Sequence, residues 1–273
     1  MIKPDDLFVS NGFSDDLAKA TRGDTVARLR VGYAYCTGRA GAINFVRARH
    51  HFRVAATQST EASALLGFLD LKLHRNAPLN TAALKRLQQA ANANDPVGRT
   101  LLGRAYEQGL RPCKQNLQTA QALYEAAAPH FALAKTYLGA MLLKTGKAKQ
   151  GIRLLKQAAT AGEGSSMLHL ADLYVRQRKT THIEKAKSLL RAGAELGHCA
   201  PLYRLGVLYR DGTGVPASAI PTLGFALMHR AAKAGHRPAQ AAVGVAYKNG
   251  TGVKQNLKLA GFWTQKAAQV LPH

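Results

Sequence analysis

The chain has 273 residues, 47% of them hydrophobic, which suits a packed structure and excludes a disordered polymer. Its formal net charge of +23, with a pI near 10.4, raises association with acidic partners whatever the fold. No run of about eighteen apolar residues is present, which excludes a membrane-spanning helix, and Met1–Asp6 (MIKPDD) lacks the charged and apolar regions of a leader, so a cytoplasmic protein is expected.

An aliphatic–glycine step sets the organisation. It appears at Val31–Gly32 and returns at Leu66–Gly67, Leu102–Gly103, Leu138–Gly139, Leu205–Gly206 and Val243–Gly244, with Leu170–Ala171 filling the one gap. A period of about 35 residues is the mark of stacked repeats. Residues 1–23 form an N-terminal segment ending in half a repeat, a helix within Ser14–Gly23 (SDDLAKATRG). From residue 24 to 273 the pattern predicts about seven helix pairs in one continuous domain. First helices are expected over 24–37, 61–73, 96–108, 130–144, 164–176, 199–210 and 237–249. Second helices are expected over 43–56, 79–92, 114–128, 147–159, 182–195, 219–233 and 254–268.

Other positions come into register on the step. An aromatic follows three residues later at Tyr35, Tyr106, Tyr174, Tyr209 and Tyr247. Small pairs precede it, such as Ala126–Ala127 and Ala231–Ala232, and glycines at Gly23, Gly162, Gly197 and Gly235. Gly-x-Gly after the first helix favours termination, because glycine accepts the left-handed conformation. Asn116 and Asn256 are placed to cap the second helices that follow. A glycine inside a helix costs about 1 kcal/mol against alanine, so its recurrence demands a reason. Close helix–helix approach, where a Cβ would clash, supplies one.

The stretches LGVLYRDGTGV (Leu205–Val215) and VGVAYKNGTGV (Val243–Val253), with Lys266–Ala267–Ala268 and His229–Gly235 as helix ends, resemble the Sel1-like repeat, a relative of the tetratricopeptide repeat. The resemblance covers most of the chain. It weakens in the second unit, where Asp70 replaces the aromatic, and around Arg176–Thr181, where the turn lacks glycine. It implies an all-α, right-handed α-solenoid of about seven inner and outer helix pairs after an N-terminal helix. It also implies an adaptor that holds other proteins.

The positive excess lies mainly on the second helices, the outer face in family geometry. The dense clusters are Arg47, Arg49 and Arg53; Lys147, Lys149, Arg153 and Lys156; and Lys185, Lys187 and Arg191, with a basic turn at Arg176, Arg178 and Lys179. One reading is a solvated, soluble face and the other a surface for acidic proteins or polyanions. By analogy with tetratricopeptide repeats, the inner groove is lined by Tyr33, Phe68, Arg104, Arg176, Tyr203, Arg210 and Lys248, with Val97, Leu168, Val207 and Val245 among them. Aromatics and arginine are the residue types that anchor interfaces. Packing between neighbouring repeats is the other use for the same residues.

Signs of chemistry are few. Gly162–Ser166 has neither the spacing nor the lysine of a phosphate-binding loop, and no HExxH or GxSxG occurs. Gly212/Gly214 and Gly250/Gly252 recur at equivalent places and read as helix ends. The adjacent His50 and His51 diverge on a helix, and His198 and His236 follow the repeat glycine, so no metal site and no cofactor is expected. Cys36, Cys113 and Cys199 form no CxxC and read as reduced fillers. The expectation is a non-enzymatic scaffold for an acidic protein or peptide. Two alternatives stand: nucleic-acid or other polyanion binding through the basic face, and an immunity or regulatory protein that inhibits an acidic enzyme or effector.

Overall fold

The computed structural model describes residues 12–38, 40, 42–73, 77–213 and 220–268, and every regular element among them is a helix. α1 (Phe13–Thr21) comes first. Seven pairs follow: α2 (Thr25–Thr37) and α3 (Phe45–Ala55), α4 (Thr60–Leu73) and α5 (Ala77–Asn92), α6 (Pro96–Gln108) and α7 (Leu117–Ala127), α8 (Ala132–Lys144) and α9 (Ala148–Thr160), α10 (Gly164–Arg176) and α11 (Thr180–Glu195), α12 (Cys199–Arg210) and α13 (Ile220–Lys233), α14 (Arg237–Asn249) and α15 (Leu257–Ala268). The all-α class and the succession of helix pairs read from the sequence are both present. The chain groups into two compact units. Of the described residues, one holds Gly12–Tyr33 and Asn44–Ser166; the other holds those of 34–43 and of 167–268.

The aliphatic–glycine step is where the two helices of a pair meet. In the first unit, a Cβ on Gly67 would stand 2.7 Å from the Ala83 carbonyl oxygen, and one on Gly103 would stand 2.8 Å from the Tyr124 ring. Gly139 and Gly151 oppose each other, so a Cβ on either would meet the other's carbonyl oxygen at 2.9 or 2.7 Å. In the second unit Gly206 opposes Gly224 in the same way, and a Cβ on Gly244 would crowd Thr264 Oγ1 at 2.7 Å. The second helix answers with a small residue at a fixed place: Ala48, Ala83, Ala120, Gly151, Ala186, Gly224 and Ala260, all buried. Four residues on, Phe52, Leu87, Tyr124, Leu155, Leu190 and Met228 fill the core, whereas in the last pair the exposed Thr264 holds that place and its neighbour Trp263 is buried.

The ends of the helices follow local chemistry. The Oδ1 atoms of Asn116 and Asn256 accept from the Thr119 and Leu259 amides at 3.0 Å, so α7 and α15 start one residue past these caps rather than at 114 and 254. Asn44 does the same for Arg47 at 2.9 Å, a cap the sequence reading passed over. Gly109 and Gly250 end α6 and α14 in the left-handed conformation, with φ of 61° and 72°. Gly214, read as part of a helix stop, lies outside the described residues. Where the turn after α10 lacks glycine, Arg178 itself takes φ 54°.

Two stability measurements follow. Gly67→Ala is expected to lose about 1–3 kcal/mol in urea denaturation, because overpacking against a backbone oxygen outweighs alanine's helix preference. Arg178→Gly is expected to gain up to about 1 kcal/mol, since glycine relieves a left-handed backbone at some cost in chain entropy.

Candidate binding surface

In the unit of Gly12–Tyr33 and Asn44–Ser166, α6 lies between α4 and α8, so these three first helices form a row. Tyr33 is half-buried, edge-on to Phe52 at 5.9 Å, and hydrogen-bonded to Glu61. Burial pushes the Glu61 carboxyl above its usual range, Asp95 adds to this, and the Tyr33 bond opposes it. The Lys72 ammonium sits 5.7 Å over the half-buried Phe68 ring. Arg104 lies 4.7 Å over Tyr137 of α8 and donates to Glu107 Oε2 at 2.7 Å. Tyr124 donates to that same oxygen at 2.7 Å, and burial followed by this carboxylate drives its hydroxyl far above the normal range. Arg104 is therefore a packed, neutralised group. Val97, expected in the groove, is buried and offers nothing to a ligand.

In the other unit, Asp172 of α10 accepts from Arg204 of α12 at 2.6 Å. Tyr203 packs on His236 with ring centroids 5.0 Å apart, and Arg210 pairs with its neighbour Asp211 at 2.7 Å. Arg176, Lys248 and Val245 are exposed, Leu168 is half-buried, and Val207 is buried in the core. Of the expected groove residues, the aromatics and Arg104 are engaged in packing. Arg176 and Lys248 are the cations that stand most open.

The basic clusters divide more sharply. Lys147, Lys149, Arg153 and Lys156 are all exposed, and none forms an ion pair among the described residues. Lys149, Arg153 and Lys156 are spaced to share one face of α9. Arg47, Arg53 and Lys185 are also exposed, as is Arg191, which donates to the Tyr209 hydroxyl at 2.7 Å. Two expectations fail here. Lys187 is only 3% exposed, bonded to Glu184 at 2.8 Å and lying 5.7 Å over Tyr209. Arg49 is half-buried and, with Arg86, holds Asp70, which is 4% exposed, at 2.5 and 3.3 Å. The weak second repeat thus replaces the usual aromatic with a carboxylate and two guanidinium groups.

A recess of 390 Å³ lies between the turn after α3, the start of α4 and α5, lined by Ser59, Thr60, Ser63, Arg86 and Gln89 among others. It pairs no nucleophile with a base, and Arg86 is committed to Asp70. Among the described residues no group of three or more His, Cys, Asp or Glu could hold a metal ion, and no helix is long and apolar enough to cross a membrane.

Helix pairs stacked through a glycine contact, with cations left on their second helices, define an all-α repeat protein of the kind that works by presenting surfaces. The Sel1 repeat profile matches residues 25–59, 96–128, 131–163, 165–198, 202–236 and 237–269, and the chain belongs to that family. Sel1 repeat proteins are in general protein-interaction scaffolds and typically non-enzymatic. The unmatched stretch holds α4 and α5, a helix pair built with Asp70 instead of the aromatic. A Sel1 repeat protein from Oxalobacter formigenes is similar over 94% of this chain and 75% of its own, at 22% identity and a TM-score of 0.56. An immunity protein from Pseudomonas aeruginosa, 15% identical, aligns over 77% of this chain and 81% of its own with a TM-score of 0.61. A further Pseudomonas aeruginosa protein, 14% identical, aligns over 76% and 80% with a TM-score of 0.62. No curated protein matches the sequence.

Asp70→Ala leaves two guanidinium groups without their acceptor. The expected loss is about 1–3 kcal/mol by urea denaturation, below the range for a fully buried pair because both arginines reach solvent. Burial also lowers the His236 imidazole from 6.5 to about 4, and its Nδ1 has no hydrogen-bond partner among the described residues. Between those values the unfolded chain binds the proton and the folded chain does not, so this contribution is intact above pH 6.5 and is lost as pH falls toward 4. Replacing His236 by Asn is expected to flatten that part of the stability–pH profile.

Proposed function

We propose that this chain is a non-enzymatic scaffold that holds an acidic protein or peptide. One observation carries the reading: internal ion pairs absorb Arg49, Arg86, Arg104, Lys187 and Arg204, yet the α9 cluster of Lys147, Lys149, Arg153 and Lys156 stays exposed and unpaired. Lys147 and Lys149 also stand at the α9 N-terminus, where the helix dipole disfavours cations by about 0.3–1 kcal/mol each. Local conflict of this sort is expected where function rather than stability selects the residue. A carboxylate-rich partner turns the repulsion into attraction, speeds encounter and fixes orientation. Within the unit that holds α12 and α14, the groove cations Arg176 and Lys248 and the aromatic Tyr203 then serve as further contacts on the first helices.

The fold likeness to an immunity protein supports a second reading. In it the acidic partner is an enzyme or effector, and the chain inhibits it by occupying its surface. The two readings share the same charge chemistry and differ in whether the partner's activity stops.

The test is affinity capture with the full chain at physiological salt, with and without nuclease, followed by mass spectrometry. A protein partner is expected to survive nuclease treatment, and the Lys149→Glu/Arg153→Glu double variant to weaken its retention about tenfold. Binding that disappears with nuclease and falls steeply with salt points instead to nucleic acid and overturns the proposal. Full activity of a captured enzyme in the complex removes the inhibitory reading.

A further inference from the structure

The last helix pair keeps the register of the others but fills two of its positions differently. Aligned on the buried small residue, Phe262 occupies the place held by His50, Lys85, Ala122, Arg153, Ser188 and Ala226 in the earlier second helices. Its neighbour Gly261 occupies the place of Arg49, Lys187 and Phe225. Those three side chains reach the following first helix: Arg49 bonds Asp70, Lys187 lies over Tyr209, and Phe225 meets Tyr247 edge-on at 5.2 Å. At Gly261 a Cβ would find nothing within 4 Å. Among the described residues, the flank of Phe262 at Gly261 is therefore uncovered.

The surface beside that opening is apolar and firmly backed. Leu259 and Phe262 are 38% and 52% exposed, one turn apart on α15. Phe262 packs on the buried Trp263 at 5.4 Å, and Trp263 meets His229 of α13, also at 5.4 Å. The Lys266 ammonium sits 5.5 Å over Phe262 and 5.2 Å over Trp263. By helical spacing Leu259, Phe262 and Lys266 fall in one line with Lys258 beside them. The charge here is also one-sided: no Asp or Glu follows Asp211 in the sequence, while Lys254, Lys258 and Lys266 precede or lie on α15.

We propose that this stripe docks an acidic amphipathic helix of a partner protein. Its apolar residues would cover Leu259 and Phe262, and its carboxylates would meet Lys258 and Lys266. A docked apolar stripe recognised at i, i+3 and i+7 is a known way for a helix to bind a groove. The absence of acidic residues selects against basic partners, and a net charge of +23 opposes a second copy of this chain as the occupant. The inference rests on the scaffold reading and assigns it a place distinct from α9.

Trp263 is the chain's single tryptophan and reports directly on the site. The experiment titrates the full chain with a helical peptide carrying leucines at i, i+3 and i+7 flanked by glutamates, following Trp263 emission and peptide anisotropy together. Both signals are expected to saturate in parallel. Leu259→Ser/Phe262→Ser and Lys258→Glu/Lys266→Glu are each expected to weaken binding about tenfold or more, and Lys149→Glu/Arg153→Glu to change it little. All of these positions are exposed, and circular dichroism confirms folding of each variant. A peptide that binds without moving Trp263, or that is lost only in the α9 variant, overturns this site and leaves the scaffold reading standing. No binding of any acidic peptide to either surface removes both. Equal binding of the peptide with lysines in place of glutamates overturns the charge argument. A Trp263 response to phosphatidylserine vesicles or single-stranded oligonucleotide, with none to the peptide, assigns the stripe to a different partner class and overturns the proposal.

Discussion

The contact between a glycine on the first helix and a small residue on the second is the constraint from which the rest follows. With no Cβ at Gly67, Gly139 or Gly206, the two helices of a pair approach until backbone oxygens stand at van der Waals distance. That approach fixes the position of a large residue four places further on, such as Tyr124, Leu155 or Met228, which fills the space the glycine leaves. The cost of glycine within a helix, about 1 kcal/mol, is offset by burial of that side chain, for which about 1.5–3 kcal/mol is typical. The pairing also sets which faces remain for solvent.

Polar groups inside this scheme must be satisfied, and that requirement sorts the cations. Asp70, buried where an aromatic belongs, draws Arg49 and Arg86 inward. Glu107, bonded by Tyr124 and Arg104, draws Arg104 against Tyr137. Burying a carboxylate without such partners is expensive, so these arginines are structural in role. The cations of α9 satisfy no internal group. Packing does not explain their presence, and that contrast gives the scaffold reading its physical content.

The period, the helix pairs and the reason for the glycines were legible in the sequence because each repeats. Alignment of the chain with itself supplies several examples of every such position. The opposing small residues, among them Gly151 and Gly224, repeat as well and could have been found by the same alignment, had the second helix been registered as carefully as the first. Lys187 and Arg49 could not be placed that way. Both sit on basic helices among exposed cations, and their burial depends on single partners, Tyr209 and Asp70, in the next helix pair. Arg178 shows a related limit: a missing glycine signalled a different turn, yet the same left-handed backbone formed with an arginine in it. Recurrent contacts can be read from one chain, whereas contacts that occur once need coordinates.

Net charge joins stability to binding in this protein. A charge of +23 on a 273-residue chain repels itself in the compact state, and the repeats carry that repulsion because each glycine contact stabilises its own pair locally. An acidic partner that binds the folded chain alone relieves the repulsion and adds RT ln(1 + [L]/Kd) to the apparent stability. The two proposed sites of that relief, α9 and α15, belong to different compact units. The exposed cations therefore weaken the free protein in the same places where the proposed partner would bind.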